Sequence, residues 1–294
     1  MLLDAATLLQ VLIWGFVIGS VYTLLATGLT LVFGVMKVIN FAHGELMMTG
    51  AFLTFLLGYA LGVHPYLGVF FSMIALGFVG IAIERLGFRP LRGTAKINEI
   101  FFSIALILIL QNALARVFVP YFREYAQIKT PYATDVLDLG LVRLRYDFVV
   151  LLTLTWAIML ALYLLLFRTG FGREMRGTSQ NRMASMLVGI NVERIDMLSF
   201  GLGAAMAGAG GSLLSIMFAI YPEMGDLYTL KAFCVVILGG MGHYMGAFLG
   251  GLILGLAESV SSLFFSAAIA EGIAYLILVL VLLIKPSGLM GVQE

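Results

Sequence analysis

Eight apolar stretches, each close to or beyond the length that crosses a bilayer, fill most of this chain. They fall at about 7–34, 42–62, 66–84, 100–119, 147–167, 197–220, 230–262 and 268–284. A spanning helix needs about 20 mostly apolar residues. Backbone exposed to lipid must satisfy its own hydrogen bonds, so helix is the expected state. A membrane barrel would show alternating segments of about ten residues, whereas these runs are apolar all round. Composition agrees: 62% of the 294 residues are hydrophobic and 11% are charged, against about 25% charged in ordinary soluble domains. A soluble fold of this size lacks the interior to hide so much apolar surface. The sequence predicts an all-α polytopic membrane protein of about eight segments, eight to ten counting half-helices, in one transmembrane domain over 1–294.

A net charge of +1 leaves no electrostatic footprint for nucleic acid. The lone Cys234 rules out a disulfide framework within one chain. Residues 1–10 carry Asp4 and no Lys or Arg, so the first run reads as a membrane helix with its N-terminus outside, not as a cleaved signal. Lys and Arg in short loops set the orientation. The loop 84–99 carries Arg85, Arg89, Arg92 and Lys96, and the loop 168–196 carries Arg168, Arg173, Arg176, Arg182 and Arg194. Both are expected to be cytoplasmic. The larger loop 120–146 then lies outside, although its Arg123, Lys129, Arg143 and Arg145, mixed with Glu124, Asp135 and Asp138, weaken the contrast. The same alternation puts Lys37 inside and the stretch Tyr221–Thr229 in an outer loop.

Two runs look interrupted. The run 230–262 is too long for one straight span and contains Gly239, Gly240 and Gly242 around Met241. Glycines are poor helix-interior residues, so two half-helices joined at Gly239–Gly242 are expected. A re-entrant hairpin would put Lys285 and Pro286 in the cytoplasm; one kinked span would put them outside. The hairpin is preferred. The second break, near 38–45, places Asn40, His43 and Glu45 in an apolar stretch. The string Gly-Ala-Phe-Leu follows both breaks, at 50–53 and 246–249, which hints at two related halves, as in transporters built from repeats with broken helices.

Ionisable groups in hydrocarbon are costly and need a reason. Asn40, His43 and Glu45 are candidates to line or gate a solute path, with helix N–H groups offered to an anionic solute. The alternative is an interfacial cap: Asn40 is a good N-cap type and Glu45 suits a first turn. Gln111 and Asn112 read either as path-lining amides or, slightly preferred, as glue between helices. Glu258 is placed toward the outer end of its helix and Glu271 at the interface. The glycines and alanines of 201–211 predict a helix whose neighbours approach closely. In the loop 168–196, a short amphipathic helix from Asn181 carries Met183, Met186 and Leu187 on one side and stops at Gly189. This reads as a docking surface for another protein, or else as a helix lying on lipid. No phosphate-binding G-x-x-x-x-G-K-[ST] loop, H-E-x-x-H, G-x-S-x-G or Cys/His metal spacing is present, so no catalytic or metal-ligating residue is assigned.

The segment Gly28–Glu45, ending Val-Ile-Asn-Phe-Ala-His-Gly-Glu, closely resembles permease subunits of bacterial ABC transporters for branched-chain amino acids, of the LivH type more than the LivM type. Gly172–Arg176 with Gly189-Ile190, Gly239–Gly242 with Gly246-Ala247, and Lys285–Leu289 agree, and the resemblance covers essentially the whole chain. It implies an importer in the bacterial cytoplasmic (inner) membrane. A second permease subunit, LivM-like or an identical copy, two cytoplasmic ATPases carrying ATP and Mg, and a periplasmic solute-binding protein would complete it. It implies no cofactor on this chain. It also implies that Arg173–Gly189, including Arg173, Arg176, Arg182, Met183, Leu187 and Gly189, seats in the ATPase, and that the outer loops meet the binding protein. Members of this family also move urea, short amides and aromatic acids, so the solute stays open. From the residues alone, an ion-coupled carrier using Glu45 or Glu258 and a non-transporting scaffold remain as alternatives.

Overall fold

The computed structural model describes residues 5–122, 127–132, 134–138, 140, 142–285 and 287–291. Asp4, Arg123, Glu124 and Pro286 lie outside the described residues. The first apolar run forms α1 (Ala5–Met36), with no charge or proline inside it. It ends at Lys37, whose backbone takes the left-handed conformation with φ +58° and whose N–H bonds the Phe33 carbonyl at 2.9 Å. α2 (His43–Leu61) ends at Gly62, where φ +64° lets the N–H fold back onto the Gly58 carbonyl. α3 (Pro65–Ile83) starts on a proline, whose missing N–H has no helical partner at that position anyway.

The polypeptide does not leave helix at residue 84. It continues through a π-helical turn, Glu84–Phe88, into α4 (Arg89–Leu91), so the loop expected over 84–99 begins only at Arg92. Gly87 lies under the Phe102 ring, where a Cβ would overlap it, and the wide turn carries charged side chains without breaking the backbone ladder. α5 (Lys96–Phe122) follows. The outer loop holds a small hairpin, β1 (Val136–Asp138) against β2 (Arg143–Arg145). Gln10 clamps it with two bonds of 3.0 Å to the Arg143 backbone. Buried Asp147 accepts from Tyr66 (2.7 Å), Thr130 (2.6 Å) and Arg145 (2.7 Å), tying the loop to α3 and to α6 (Tyr146–Arg168).

The remaining helices are α7 (Gly170–Gln180), α8 (Arg182–Leu187), α9 (Val192–Met217), α10 (Met224–Gly239), α11 (Tyr244–Ser261) and α12 (Ala267–Ile284). Thr169, Asn181 and Asn191 cap α7, α8 and α9 through side-chain oxygens. Among the described residues, seven helices are long and apolar enough to cross a membrane: α1, α2, α3 with α4, α5, α6, α9 and α11. The run 230–262 is two antiparallel helices, α10 and α11, joined by a turn in which Gly240 (φ +102°) and Gly242 (φ +82°) take conformations open to glycine. Gly239 packs on Gly246 and Gly250 on the Val235 carbonyl. The N–H groups of Leu289 and Met290 bond the carbonyls of Leu238 (2.8 Å) and Gly239 (3.0 Å). Gly34 lies against Gly242. The end of α1, the hairpin turn and residues 287–291 therefore share one end of the bundle with the basic helix α7, the arrangement expected of the hairpin. The stretch Tyr221–Thr229 is not an outer loop: α10 starts at Met224, and Met224, Gly225, Tyr228 and Thr229 are buried.

Helix α9 is the axis of the bundle, buried on all sides from Gly203 to Ile216, whereas α5 is peripheral. Its small residues explain this. Gly203 meets Gly28 of α1, Gly208 meets Gly50 of α2, and Gly201 and Ala204 meet Gly77 and Gly80 of α3. On the other side of α1, Gly15 and Gly19 meet Gly255 and Gly251 of α11. Lipid supplies no hydrophobic drive between helices, so close backbone approach and van der Waals contact hold them together. A leucine at Gly50 would strike the backbone of Gly208, whereas nothing lies within 4 Å of a Cβ at Gly272. Gly50→Leu is expected to lower the yield and melting temperature of the purified protein by an amount typical of overpacking, about 2 kcal/mol or more. Gly272→Leu should leave both unchanged by size-exclusion and thermal unfolding in detergent.

Candidate functional site

After Lys37 the chain turns back into the bundle as an extended segment and starts α2 beside the middle of α1. His43 Nε2 lies 3.0 Å from the Leu25 carbonyl, and Gly28 packs against the His43 ring. The side chain of Asn40 accepts from the Ala42 N–H at 3.1 Å, so it closes an Asx turn before the helix and is not the N-cap, a position held by Ala42. The segment between α9 and α10 makes the same kind of return. The two new helices meet start to start: Thr229 Oγ1 accepts from the Gly44 N–H at 2.9 Å and donates to the Phe41 carbonyl at 3.3 Å, and Gly44 leaves no room for a Cβ against Gly225 and Thr229.

Each helix brings an acid into its first turn, Glu45 on α2 and Asp226 on α10, where the helix dipole favours negative charge. The Glu45 carboxyl lies over Gly225, and a Cβ there would overlap it. Its Oε1 accepts from Gln111 of α5 at 3.0 Å, while Oε2 is buried with no protein N–H or hydroxyl donor and the Asp226 carboxyl lies within interaction distance of Glu45. Asn40 Nδ2 and His43 Nδ1 are also buried and unpartnered. Three polar atoms with unmet hydrogen-bonding capacity therefore belong to the six residues 40–45.

Glu45 and Gln111 thus come together at the α2–α10 junction, whereas His43 turns to Leu25 and Gly28 of α1 and Asn40 stays in the turn before the helix. Asn112 does not join them; it is exposed and bonds back to the Leu108 carbonyl at 2.8 Å. Gly239, Gly240 and Gly242 lie elsewhere, since Gly239 is ten residues along α10 from Thr229, about 15 Å of helix. The break facing Asn40–Glu45 is the one before α10, not the glycine turn. The Gly-Ala-Phe-Leu strings fall on α2 and α11, so they do not mark the two helices that meet. Sequence reasoning passed over Gly225 and Thr229 because small and hydroxyl side chains in a polar-looking stretch resemble a surface loop.

A second group of charges is joined by a lysine that the sequence reading passed over. Lys231 of α10 is buried and pairs with Glu258 of α11 at 2.8 Å and Glu271 of α12 at 3.2 Å. Tyr22, near the midpoint of α1, donates to Glu258 at 3.0 Å and lies 2.9 Å from Lys231 Nζ. Glu258 does lie toward the outer end of α11, but it is ion-paired and largely covered, not simply hydrated, and Glu271 is tied to the same lysine. A basic residue 27 positions before an acid in one apolar run was the available signal. Breaking a buried pair leaves an uncompensated charge. Lys231→Met should destabilise the protein by about 3 kcal/mol, and adding Glu258→Gln and Glu271→Gln should recover much of the loss, measured by thermal unfolding in detergent.

At the basic end, Asp196 on α9 is buried and pairs with Arg182 and with Arg92, the latter at 2.9 Å; Arg92 also pairs with buried Glu84, and Arg89 with Glu193. Arg182 thus anchors α8 to Asp196 of α9, and Arg92 carries the network on to Glu84 of the π-helical turn. Arg176 donates to the Leu166 carbonyl and stacks over Phe167 at 4.9 Å. Arg173 is exposed. α8 presents Met183, Leu187 and the following Val188 at 65%, 82% and 77% exposure, and Gly189 ends the unit at φ +85°.

A family model described as the permease component of branched-chain amino acid transport systems matches residues 11–283. The chain is 32% identical over 305 aligned residues to the high-affinity branched-chain amino acid transport permease LivH of Salmonella typhimurium, covering 97% of this chain and 96% of that protein. It is 33% identical over 302 residues to BraD of Pseudomonas aeruginosa, with the same coverage. Identity to a probable LivH of Methanocaldococcus jannaschii is 30%, over 94% of this chain and 90% of the relative. No solved structure matches the chain significantly.

Proposed function

This chain belongs to the permease-component family of branched-chain amino acid transport systems, and we propose that it forms the translocation pathway of an ABC importer for branched-chain or similar small amino acids. ATP hydrolysis on separate subunits drives it. The chain itself carries out no catalysis; ATP and Mg belong to two cytoplasmic ATPases. A solute-binding protein delivers the amino acid on the opposite face, and a second permease subunit, LivM-like or identical, completes the pathway. The assembly sits in the cytoplasmic membrane with the basic face inward, in keeping with the Lys and Arg bias. One permease domain spans 1–294.

The observation that carries this reading is the α7–α8 unit. Two capped short helices stand at the basic end and expose methionine and branched apolar side chains beside arginines. Such a surface fits a groove on a partner protein. The same unit is braced to α9 and the π-helical turn through Arg182, Asp196, Arg92 and Glu84. A push on α8 therefore reaches α9, the axis of the bundle, and α9 packs on both α1 and α2. The solute path is assigned to the junction of α2 and α10, where Asn40, His43 and Glu45 have unmet hydrogen-bonding capacity.

Reconstituted with ATPases, partner permease and binding protein, the chain is expected to support ATP-dependent leucine uptake into proteoliposomes. Leu187→Asp with Arg173→Glu should reduce solute-stimulated ATP hydrolysis by about tenfold or more, since a charge is placed in an apolar contact, while insertion and melting temperature stay unchanged. Wild-type coupling in that variant would remove α8 from the ATPase interface. Uptake driven by a proton or sodium gradient without ATP would make the chain an ion-coupled carrier.

A further inference from the structure

At the basic end a cavity of about 430 Å³ opens between α1, α6, α7 and the start of α11. Its size is that of a small-molecule site. Arg176 lines it, and none of the lining residues is acidic. The guanidinium is held in place by the Leu166 carbonyl and by the Phe167 ring. One of its five N–H donors is used in that bond, leaving a planar fork suited to a carboxylate. Leu31, Val35, Leu166 and Met175 supply an apolar wall, and Tyr163 and Tyr244 an aromatic one. Thr30 lines the same cavity, is 2% exposed, and its Oγ1 has no hydrogen-bond partner. A buried hydroxyl without a partner is uncommon unless something else satisfies it.

We propose that this cavity is a release-side binding site for the transported amino acid, with the carboxylate on Arg176, a polar atom on Thr30 and the aliphatic side chain against α1 and α6. The inference rests on the transport function proposed above. Ser179 and Gln180 add side-chain oxygens, and the tyrosine faces add π density, for the ammonium group. The position fits a stop on the way out. Thr30 is five residues beyond Leu25, about 7 Å further along α1 from the junction with His43 toward the basic end. Arg176 is carried by α7, directly before α8. A bound amino acid therefore bridges α1 and α7.

The test uses the complex of this chain with its partner permease and ATPases, without the solute-binding protein, in phosphatidylcholine nanodiscs. Equilibrium binding of tritiated L-leucine is measured. Saturable binding is expected. Arg176→Gln should weaken it by about tenfold or more, from loss of a charge-assisted bond, and Arg176→Lys by less. Thr30→Val, which keeps the side-chain shape, should weaken it by about threefold or more. Asn112→Ala should leave it unchanged, and melting temperatures should match the wild type in all four variants. If the wild-type complex binds no leucine while the full transporter takes leucine up with ATP, the site is wrong and the function stands; if uptake is also absent, both fall. If phosphatidylglycerol added to the nanodisc copurifies in an Arg176-dependent way and leucine binding is insensitive to Arg176 and Thr30, the cavity is a lipid-headgroup site and the proposal is overturned.

Discussion

The first N–H groups of any helix have no partner inside that helix, and this chain begins two helices within an apolar bundle. The rest of the structure follows from how those groups are met. Asn40 folds its side chain back to the Ala42 N–H, and Thr229 reaches across from α10 to the Gly44 N–H. Glu45 and Asp226 place a carboxyl group in each first turn, where the helix dipole favours an acid. For these short-range bonds to form, the two helix starts must touch, which requires Gly44 and Gly225 at the contact. It also requires α9 to hold α1 and α2 closely, which its small residues permit. A transport protein gains from this arrangement: a helix started inside the bilayer offers polar backbone at a depth where a continuous helix would offer none.

The fold was largely readable because bilayer physics writes itself into long apolar runs. Helix positions agree with those runs to within a few residues at most ends, and the division of 230–262 was visible in its glycines. The exceptions have a common cause. Residues 84–91 stay helical because a π-helical turn tolerates charge, and hydropathy is blind to helix that carries charged side chains. Gly225 and Thr229 are buried because they serve close packing, and these residue types look the same in a surface loop.

The candidate site was half readable. Asn40, His43 and Glu45 stood out as polar residues without an evident reason, and Gln111 as an amide in an apolar helix. Their partner across the junction did not, since Gly225 and Thr229 have no chemical signature, and only tertiary structure chooses them over Gly239–Gly242. Lys231 went unnoticed for a similar reason: a lysine at the start of an apolar run resembles an interfacial residue until Glu258 and Glu271 are seen beside it. Arg182 stood out as a base in a short cytoplasmic-type helix, but its pairing with Asp196 shows that a surface helix also needs inward anchors.

The central claim is that solute passes the junction of α2 and α10. Thiol accessibility tests it directly. With Cys234 replaced by serine, a single cysteine at Asp226 in the reconstituted transporter is treated with a membrane-impermeant, water-soluble thiol reagent. The account predicts labelling from the aqueous phase, and protection by saturating solute and binding protein while ATP is hydrolysed. A cysteine that never labels from water, or labels at a rate indifferent to solute, would place the pathway elsewhere.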